Sequence, residues 1–357
     1  MHPSHPLLKP NMRYANIPHT DLNPSVICLG TGGMGATIDR DASFKLLDAF
    51  VEAGGNFLDT AKVYSDWIPG ERSRSEKTLG AWMRARGNRS QIVLATKGAH
   101  PNLQTMDQPR LKPEDITGDI KASLSHLQAD VIDLYWLHRD DPAQSVASIL
   151  DTLNAEAKVG HIRYFGCSNW KAVRIQEADE YAARTGQSSF AANQMLWNAA
   201  AIDLNGVADK TLAPMDKAMY ELHMRTHLAA VPFSSQANGL FSKWSGTAPD
   251  DESGAAAGPG TKLRKAVVDT AKRVRDAITT TAPMYPKEAN LRRLAVIEQI
   301  AEKNELTVSQ VVLGYLLAQP FPTFPIVGCR HLGQLLDSLS AADVQLDAEE
   351  VAAIEQA

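Results

Sequence analysis

The feature that most constrains the fold of this chain is a regular alternation of short apolar runs with longer amphipathic segments. Eight runs have the length and composition of strands, and they span 26–31, 56–60, 91–97, 131–138, 162–168, 190–196, 228–234 and 323–328. Segments of helical period lie between them, at 41–53, 75–86, 113–127, 143–158, 171–185 and 213–225, with one long stretch that reaches residue 317. Repeated strand–helix units of this number predict an α/β fold, the (β/α)8 TIM barrel.

A glycine-rich stretch after the first strand raises the alternative of an open dinucleotide-binding sheet. Gly30, Gly32 and Gly35 match the spacing G-x-G-x-x-G of such a sheet. That fold also needs an acidic residue at the end of its second strand, about 20 residues further on. Asp48 falls inside a helical segment, and Asp59 comes too late. The barrel is therefore the better interpretation, although the glycines leave room for a cofactor to approach closely.

Length and composition are compatible with a single large domain. The chain has 357 residues, of which 44% are hydrophobic and 22% are charged, as is typical of a soluble globular protein. We expect residues 1–12 to form a flexible tail and residues 13–357 to form the barrel. The stretch 243–290 interrupts the strand–helix rhythm with small and polar residues. It predicts a loop inserted after the seventh strand.

Charge and cysteine content restrict the partners and the compartment. A formal net charge of −5 gives no support for nucleic-acid binding or a basic membrane-binding face. No apolar stretch has the length of a transmembrane helix or a signal-peptide core. Three scattered cysteines without a CxxC pair favour a reducing compartment. We expect a soluble cytoplasmic protein and leave homo-oligomerisation open.

Polar residues stand at the ends of three successive predicted strands. Asp59 ends the second, Lys97 the third and His138 the fourth, while Tyr64 lies in the loop after Asp59. In a (β/α)8 barrel these strand ends converge on one mouth, where chemistry takes place. An ammonium lowers the pKa of a nearby phenol, a carboxylate keeps the ammonium charged, and an imidazole can position a carbonyl oxygen. Each residue alone is also an ordinary strand end, so the prediction of a proton relay depends on all four.

The motifs around these residues resemble, in order, those of the aldo-keto reductase family. NFLDTAKVYS (56–65), TKG (96–98) and LYWLH (134–138) resemble the signatures of its second, third and fourth strands. GCSNW (166–170) and NQML (193–196) resemble the segments that hold the nicotinamide carboxamide, and PFSSQANGLFSK (232–243) resembles the strand-seven segment. PIVGCRHLGQLLDSL (325–339) resembles the segment that binds the adenosine phosphate and adenine. The resemblance runs from about residue 13 to the C-terminus.

The resemblance implies a metal-free NAD(P)H-dependent carbonyl reductase or alcohol dehydrogenase. Tyr64 would donate a proton to the carbonyl oxygen, Asp59 and Lys97 would tune the phenol, and His138 would orient the substrate and assist proton transfer. The cofactor contacts that it implies are Gly32, Asp59, Ser168, Asn169, Gln194, Phe233, Ser234, Gln236, Asn238, Gly328, Arg330, Gln334 and Ser338. Contacts to a small-molecule carbonyl substrate are expected from Tyr64, Trp67, His100, His138 and Arg139. The alternative is a cofactor-binding regulatory subunit with little turnover, a role that some members of the fold family have taken.

Departures from the family pattern leave the cofactor and the substrate open. Ser235 and Gln236 stand where the family usually has proline and leucine, and Ser338 stands where an asparagine commonly contacts adenine. Arg330 is either a surface arginine or the cation that meets a ribose 2′-phosphate, since a guanidinium donates two parallel hydrogen bonds. Family habit favours NADP(H), with NAD(H) open. Trp67 beside polar residues suggests an aldose or dehydrosugar, although tryptophans in barrels are often packing residues.

Overall fold

Eight strands occur where the sequence predicts them, in a computed structural model that describes residues 11–207, 209–247 and 284–357. They are β1 (Cys28–Gly30), β2 (Phe57–Asp59), β3 (Val93–Gly98), β4 (Ile132–Leu137), β5 (Ile162–Ser168), β6 (Ala192–Gln194), β7 (Ala229–Ala230) and β8 (Ile326–Val327). Most of their residues are buried. Parallel strands that are covered on both faces favour continuous apolar runs over alternation, which explains why these segments could be recognised from the sequence.

Helices follow the strands, and one of them differs from the prediction. They are α1 (Arg40–Glu52), α2 (Arg74–Arg86), α3 (Pro113–Leu127), α4 (Val146–Val159), α5 (Ala172–Thr185), α6 (Lys217–Thr226), α7 (Leu240–Ser245), α8 (Lys287–Lys303), α9 (Val308–Leu317), α10 (Leu332–Leu339) and α11 (Ala348–Gln356). The prediction of a single long helix that reaches residue 317 is wrong, because α8 ends at Lys303 and a separate helix, α9, begins at Val308. Glu305 has a left-handed φ of 56°, and Thr307 starts α9 with a capping box to Gln310.

Two predicted segments fall largely outside the described residues. Residues 1–10 of the expected tail and residues 248–283 of the expected insertion are among those that the structure leaves undescribed. The described ends of the expected insertion are partly helical, since its first residues belong to α7 and its last residues to α8. None of the described helices has both the length and the apolar character needed to cross a membrane.

The eight strands form one parallel sheet in the order β7-β6-β5-β4-β3-β2-β1-β8. Backbone hydrogen bonds also join the two ends of this order. The Ala230 amide donates to the Pro322 carbonyl at 2.8 Å, the Phe324 amide to the Ala230 carbonyl at 2.8 Å, and the Ile326 amide to the Pro232 carbonyl at 2.9 Å. These bonds close the sheet on itself, in agreement with the predicted (β/α)8 barrel.

A cluster of buried residues, many of them from the strands, includes three aromatic side chains. The rings of Phe57 and Phe324 meet edge to face with centroids 6.0 Å apart, and Trp136 belongs to the same cluster of buried residues. Ile17 and Leu22, which precede β1, also pack in this cluster. They lie at the end of the barrel where the strands begin, so the opposite end is left for polar side chains at the carboxyl ends of the strands.

Candidate active site

Asp59 and Lys97 lie side by side because β2 and β3 are neighbouring strands. Lys97 Nζ donates to Asp59 Oδ2 and to the Thr60 carbonyl at 3.1 Å. The second carboxylate oxygen, Asp59 Oδ1, accepts from Gln194 Nε2 at 2.8 Å. The side chains of Lys97 and Asp59 are only 2% and 1% exposed. Charges this deeply buried need partners of opposite sign, and here each has one.

Tyr64 and His138 complete the predicted group of four. Lys97 Nζ donates to Tyr64 Oη at 2.9 Å, and it lies 4.7 Å from the centroid of the Tyr64 ring. His138 follows the last residue of β4, and its ring centroid lies 5.8 Å from that of Tyr64. The four residues predicted as catalytic are therefore together at the carboxyl ends of the strands. We call Asp59, Tyr64, Lys97 and His138 the tetrad.

The electrostatics of the tetrad differ from the sequence-based expectation at the phenol. Burial disfavours the charge of Lys97, but Asp59 and Tyr64 outweigh it and raise the pKa of the ammonium. Burial also raises the pKa of Tyr64 above its ordinary value of 10.0, and the opposing effect of Lys97 is smaller. The expected lowering by the ammonium is therefore present, but burial outweighs it and the pKa of Tyr64 is raised overall. Tyr64 keeps its proton at neutral pH.

His138 is neutral, and its surroundings determine which ring nitrogen carries the proton. Burial, helped by the positive charges of Arg139 and Lys97, holds the pKa of His138 well below 6.5. Its Nδ1 is enclosed and has no hydrogen-bond partner among the described residues. An enclosed nitrogen without a partner is less costly as a bare acceptor than as an N–H group. The proton of His138 therefore belongs on Nε2.

Two of the other residues predicted to contact the substrate flank the tetrad. The His100 ring lies 4.7 Å from the His138 ring, centroid to centroid. The Trp67 ring lies 6.3 Å from the Tyr64 ring, and Trp67 is 56% exposed. His100 therefore places a polar surface beside His138, and Trp67 places an apolar surface beside the phenol of Tyr64.

Arg139, also predicted to contact the substrate, is engaged by protein groups. Its Nη1 donates to the His138 carbonyl at 2.8 Å, its Nε to Thr211 Oγ1 at 2.8 Å and its Nη2 to Asp209 Oδ2 at 2.9 Å. Asp209 and Thr211 come from the loop between β6 and α6, and no sequence pattern indicates their contact with Arg139. Arg139 therefore fixes that loop against the end of β4 and adds positive charge near His138.

The residues expected to hold a nicotinamide carboxamide lie beside the tetrad. Asn169 Nδ2 donates to Ser168 Oγ at 3.1 Å and to the His138 carbonyl at 3.2 Å. Gln194 Oε1 is enclosed and lacks a partner in the described part of the chain. A carboxamide N–H group would satisfy this acceptor, so the residues fit the expected cofactor. Gly32, another predicted cofactor contact, lies next to the phenol, since a Cβ at this position would be 3.6 Å from the Tyr64 ring.

The segment after β7, where the resemblance predicts cofactor contacts, has an unusual backbone. Ser234 has a left-handed φ of 52°, and the successive residues Ala237 and Asn238 have left-handed φ values of 49° and 56°. Successive amides in such turns can form anion-binding concavities. Phe233 is half-buried at the start of this segment. Gln236, by contrast, is bound within the protein, since its Nε2 donates to Ser309 Oγ at 2.7 Å and to Ser338 Oγ at 3.4 Å.

The segment after β8 places the remaining expected cofactor residues next to this loop. The hydrogen bond between Gln236 and Ser338 joins the two segments. The Arg330 amide donates to Gln334 Oε1 at 2.9 Å, and Arg330 is exposed. A Cβ at Gly328 would meet no atom of the described residues within 4 Å. As far as the described residues go, the end of β8 has room for a bound adenosine phosphate.

One buried carboxylate that the sequence did not reveal fixes the loops around the tetrad. Asp119, in α3, accepts from Lys62 Nζ, from both terminal nitrogens of Arg110 at 3.0 Å and from the Ala99 amide at 2.8 Å. These hydrogen bonds outweigh burial and lower the pKa of Asp119. The donors come from the loops after β2 and β3, which carry Tyr64 and His100. An acid inside a helical pattern carries no sequence signal for such a role.

Comparisons with known proteins identify the family. The sequence model of the Aldo/keto reductase family matches residues 26–357. An aryl-alcohol dehydrogenase (NADP+) of Phanerodontia chrysosporium is 29% identical over 330 residues, which cover 89% of this chain and 76% of that protein. Norsolorinic acid reductase B of Aspergillus parasiticus is 30% identical over 373 residues, which cover 100% of this chain and 86% of that protein. The chain therefore belongs to the aldo/keto reductase family.

Proposed function

We propose that the protein reduces an aldehyde or a ketone to an alcohol, with a reduced nicotinamide dinucleotide as the hydride donor and Tyr64 as the proton donor. The observation that carries this proposal is the contact of 2.9 Å between Tyr64 Oη and Lys97 Nζ, with Lys97 in turn paired to Asp59. The bound dinucleotide supplies the hydride, and the protein supplies placement and electrostatics.

Tyr64 is suited to act as a general acid. Its raised pKa keeps the phenol protonated until a carbonyl oxygen gains negative charge. When the proton leaves Tyr64 Oη, the phenolate that remains accepts a hydrogen bond from the Lys97 ammonium. Asp59 holds that ammonium in its charged form, so the positive charge is already in place when the phenolate develops.

His138 is suited to orient the substrate. Because its proton belongs on Nε2 and its pKa is low, it donates a hydrogen bond without carrying charge. The ring lies beside that of Tyr64, so both residues can donate to one carbonyl oxygen. Two donors that meet at one oxygen fix the position of the carbonyl relative to the phenol.

NADP(H) is the cofactor that the observations favour. The similar protein of Phanerodontia chrysosporium carries NADP+ in its name. Ser168, Asn169 and Gln194 would hold the nicotinamide amide, and Gln194 Oε1 has no other partner among the described residues. Arg330, whose side chain is exposed, would meet the 2′-phosphate that distinguishes NADP(H) from NAD(H).

An aromatic carbonyl compound is the favoured substrate class. Two similar proteins are named for an aryl alcohol and for norsolorinic acid. The exposed ring of Trp67 beside Tyr64 offers an apolar surface that an aromatic substrate could cover. The same ring could pack on a sugar, so the aldose or dehydrosugar expected from the sequence stays as the alternative.

The test is the loss of reduced-nicotinamide absorbance with NADPH and with NADH, against a panel of aromatic aldehydes and ketones and of aldoses. Tyr64→Phe should lower kcat by a factor of about 10² to 10⁴, the usual contribution of a general acid, without abolishing cofactor binding. Tyr181→Phe is the matched control, since its hydroxyl contacts Asp151 on the outer helices. Full activity of Tyr64→Phe would refute the proposed mechanism. Cofactor binding without turnover of any substrate by the wild type would favour the regulatory alternative.

A further inference from the structure

The imidazole of His100 is fixed in one tautomer. His100 Nδ1 lies 2.6 Å from the carbonyl oxygen of Pro101, and a carbonyl oxygen only accepts hydrogen bonds. Nδ1 therefore carries the proton. In the neutral ring, Nε2 is then a bare lone pair that can accept a hydrogen bond but cannot donate one.

His100 Nε2 is left for a molecule other than this protein. It has no hydrogen-bond partner in the described part of the chain, and it is not among the enclosed polar atoms that lack one. The residue as a whole is only 9% exposed. Burial and the nearby charge of Arg139 lower the pKa of His100 and keep the ring neutral. Water can occupy such an acceptor, and a ligand that displaces this water without donating a hydrogen bond in its place loses affinity.

His100 and His138 form a pair of opposite polarity. Their ring centroids are 4.7 Å apart, and the His138 ring is in turn 5.8 Å from that of Tyr64. His138 donates from Nε2, whereas His100 accepts at Nε2. A ligand that satisfies both rings needs an acceptor and, a short distance away, a donor.

The loop that carries His100 is held rigidly. The amide of the preceding residue, Ala99, donates to Asp119, and Ala99 has a left-handed φ of 57°. Arg110 Nη1 donates to the His100 carbonyl at 3.2 Å and is itself bound to Asp119. The acceptor is therefore in place before a ligand arrives, which lowers the entropic cost of binding.

We propose that His100 is a specificity-determining residue that accepts a hydrogen bond from a hydroxyl group on the carbon next to the substrate carbonyl. The preferred substrates are thus α-hydroxy aldehydes and α-hydroxy ketones. The carbonyl oxygen lies with Tyr64 and His138, and the neighbouring hydroxyl donates to His100 Nε2. This inference rests on the proposed reductase function and narrows its substrate class.

The first test compares matched substrates by kcat/KM. α-Hydroxyacetophenone has the required donor, acetophenone lacks it, and α-methoxyacetophenone has the bulk without the donor. The wild type should prefer the hydroxy ketone by a factor of about 10 to 100 over both, the range expected when a buried acceptor gains or misses its hydrogen bond. Glycolaldehyde against acetaldehyde repeats the comparison without an aromatic ring and separates sugar-like from aromatic substrates.

Two variants of His100 separate hydrogen bonding from packing. His100→Phe removes the acceptor, and the ratio of kcat/KM values for the hydroxy and methoxy ketones should fall to about one. His100→Gln offers an amide oxygen in place of Nε2, so part of the preference should return. A purely structural role would lower the rates on all ketones together and leave that ratio unchanged, which would overturn the inference.

A binding experiment keeps this test separate from that of the proposed function. The dissociation constants of the hydroxy and methoxy ketones are measured on the wild type and on His100→Phe, each saturated with NADP+, by calorimetry. Tighter binding of the hydroxy ketone to the wild type alone supports the inference, and equal constants overturn it. If no ketone turns over, the reductase function fails while the binding comparison still decides the role of His100. If acetophenone turns over but neither assay shows a preference, the reductase function stands and the inference fails.

Discussion

Replacing Lys97 with methionine would leave the carboxylate of Asp59 buried without its cation. Gln194 Nε2, at 2.8 Å, would be its main remaining partner. Breaking a buried ion pair on one side typically costs about 3 to 5 kcal/mol of stability, because the remaining charge is uncompensated. Asp59→Asn should cost a similar amount, since it leaves the Lys97 ammonium with the Thr60 carbonyl and the Tyr64 hydroxyl.

The double variant Asp59→Asn/Lys97→Met should be less destabilised than the sum of the two single changes. It buries no unpaired charge, so the double-mutant cycle should give a coupling energy of several kcal/mol. The assay is urea unfolding followed by tryptophan fluorescence, with the free energy of unfolding extrapolated to water. Activity should be lost in all three variants.

The exposed pair Lys217–Glu221 provides the matched control. Its atoms are 3.8 Å apart across one helical turn, and its side chains are 90% and 62% exposed. Lys217→Met and Glu221→Gln should therefore couple by no more than about 0.5 kcal/mol. A coupling energy for Asp59–Lys97 as small as that of the control would refute our reasoning that burial makes this pair strong.

Two further predictions concern pH. Burial lowers the pKa of His223 from 6.5 to about 4, so between these values the unfolded chain binds more protons than the folded one. The stability that the neutral His223 imidazole contributes is fully present above pH 6.5, and the free energy of unfolding should fall by about 3 kcal/mol as the pH drops to 4. In urea unfolding at a series of pH values, His223→Gln should show a smaller fall over this range. A fall as steep as that of the wild type would contradict the prediction. The active form of Tyr64 in reduction is the protonated phenol, whose pKa lies above 10.0, so kcat/KM for reduction should stay level up to about pH 9. A midpoint of loss below that pH, absent from the stability curve, would show that the phenol ionises more easily than its burial implies.

The strands and the tetrad could be predicted because the fold ties them to local sequence. A strand that is buried on both faces favours an apolar run, and a barrel gathers the residues that end such runs. Asp59, Lys97 and His138 each end or follow a strand, so their meeting follows from the strand order. The cofactor segments were recognised by resemblance, and the structure adds that Gln236 is also bound to Ser309 and Ser338.

Other features depend on packing between distant segments and could not be predicted from the sequence. The pKa of Tyr64 rises because burial outweighs the neighbouring ammonium, and the degree of burial is not a local property. Asp119 gathers donors from two loops, yet in the sequence it is one acid in a helical segment. The break before Thr307 is different, since T-x-x-Q is a known capping signal and the long helix could have been divided there.

The closure of the barrel has a consequence for how the protein is made. β1 pairs with β8, in the register Cys28 with Ile326, so this edge of the first described strand stays unpaired until the last strand has been synthesised. During synthesis the whole tetrad leaves the ribosome with the first four strands, while β1 still has an unpaired edge. Such an edge can pair with another nascent chain. Docking of the final strand therefore does two things in one step. It covers the exposed edge of β1, and it brings the segment after Gly328 next to the loop after β7.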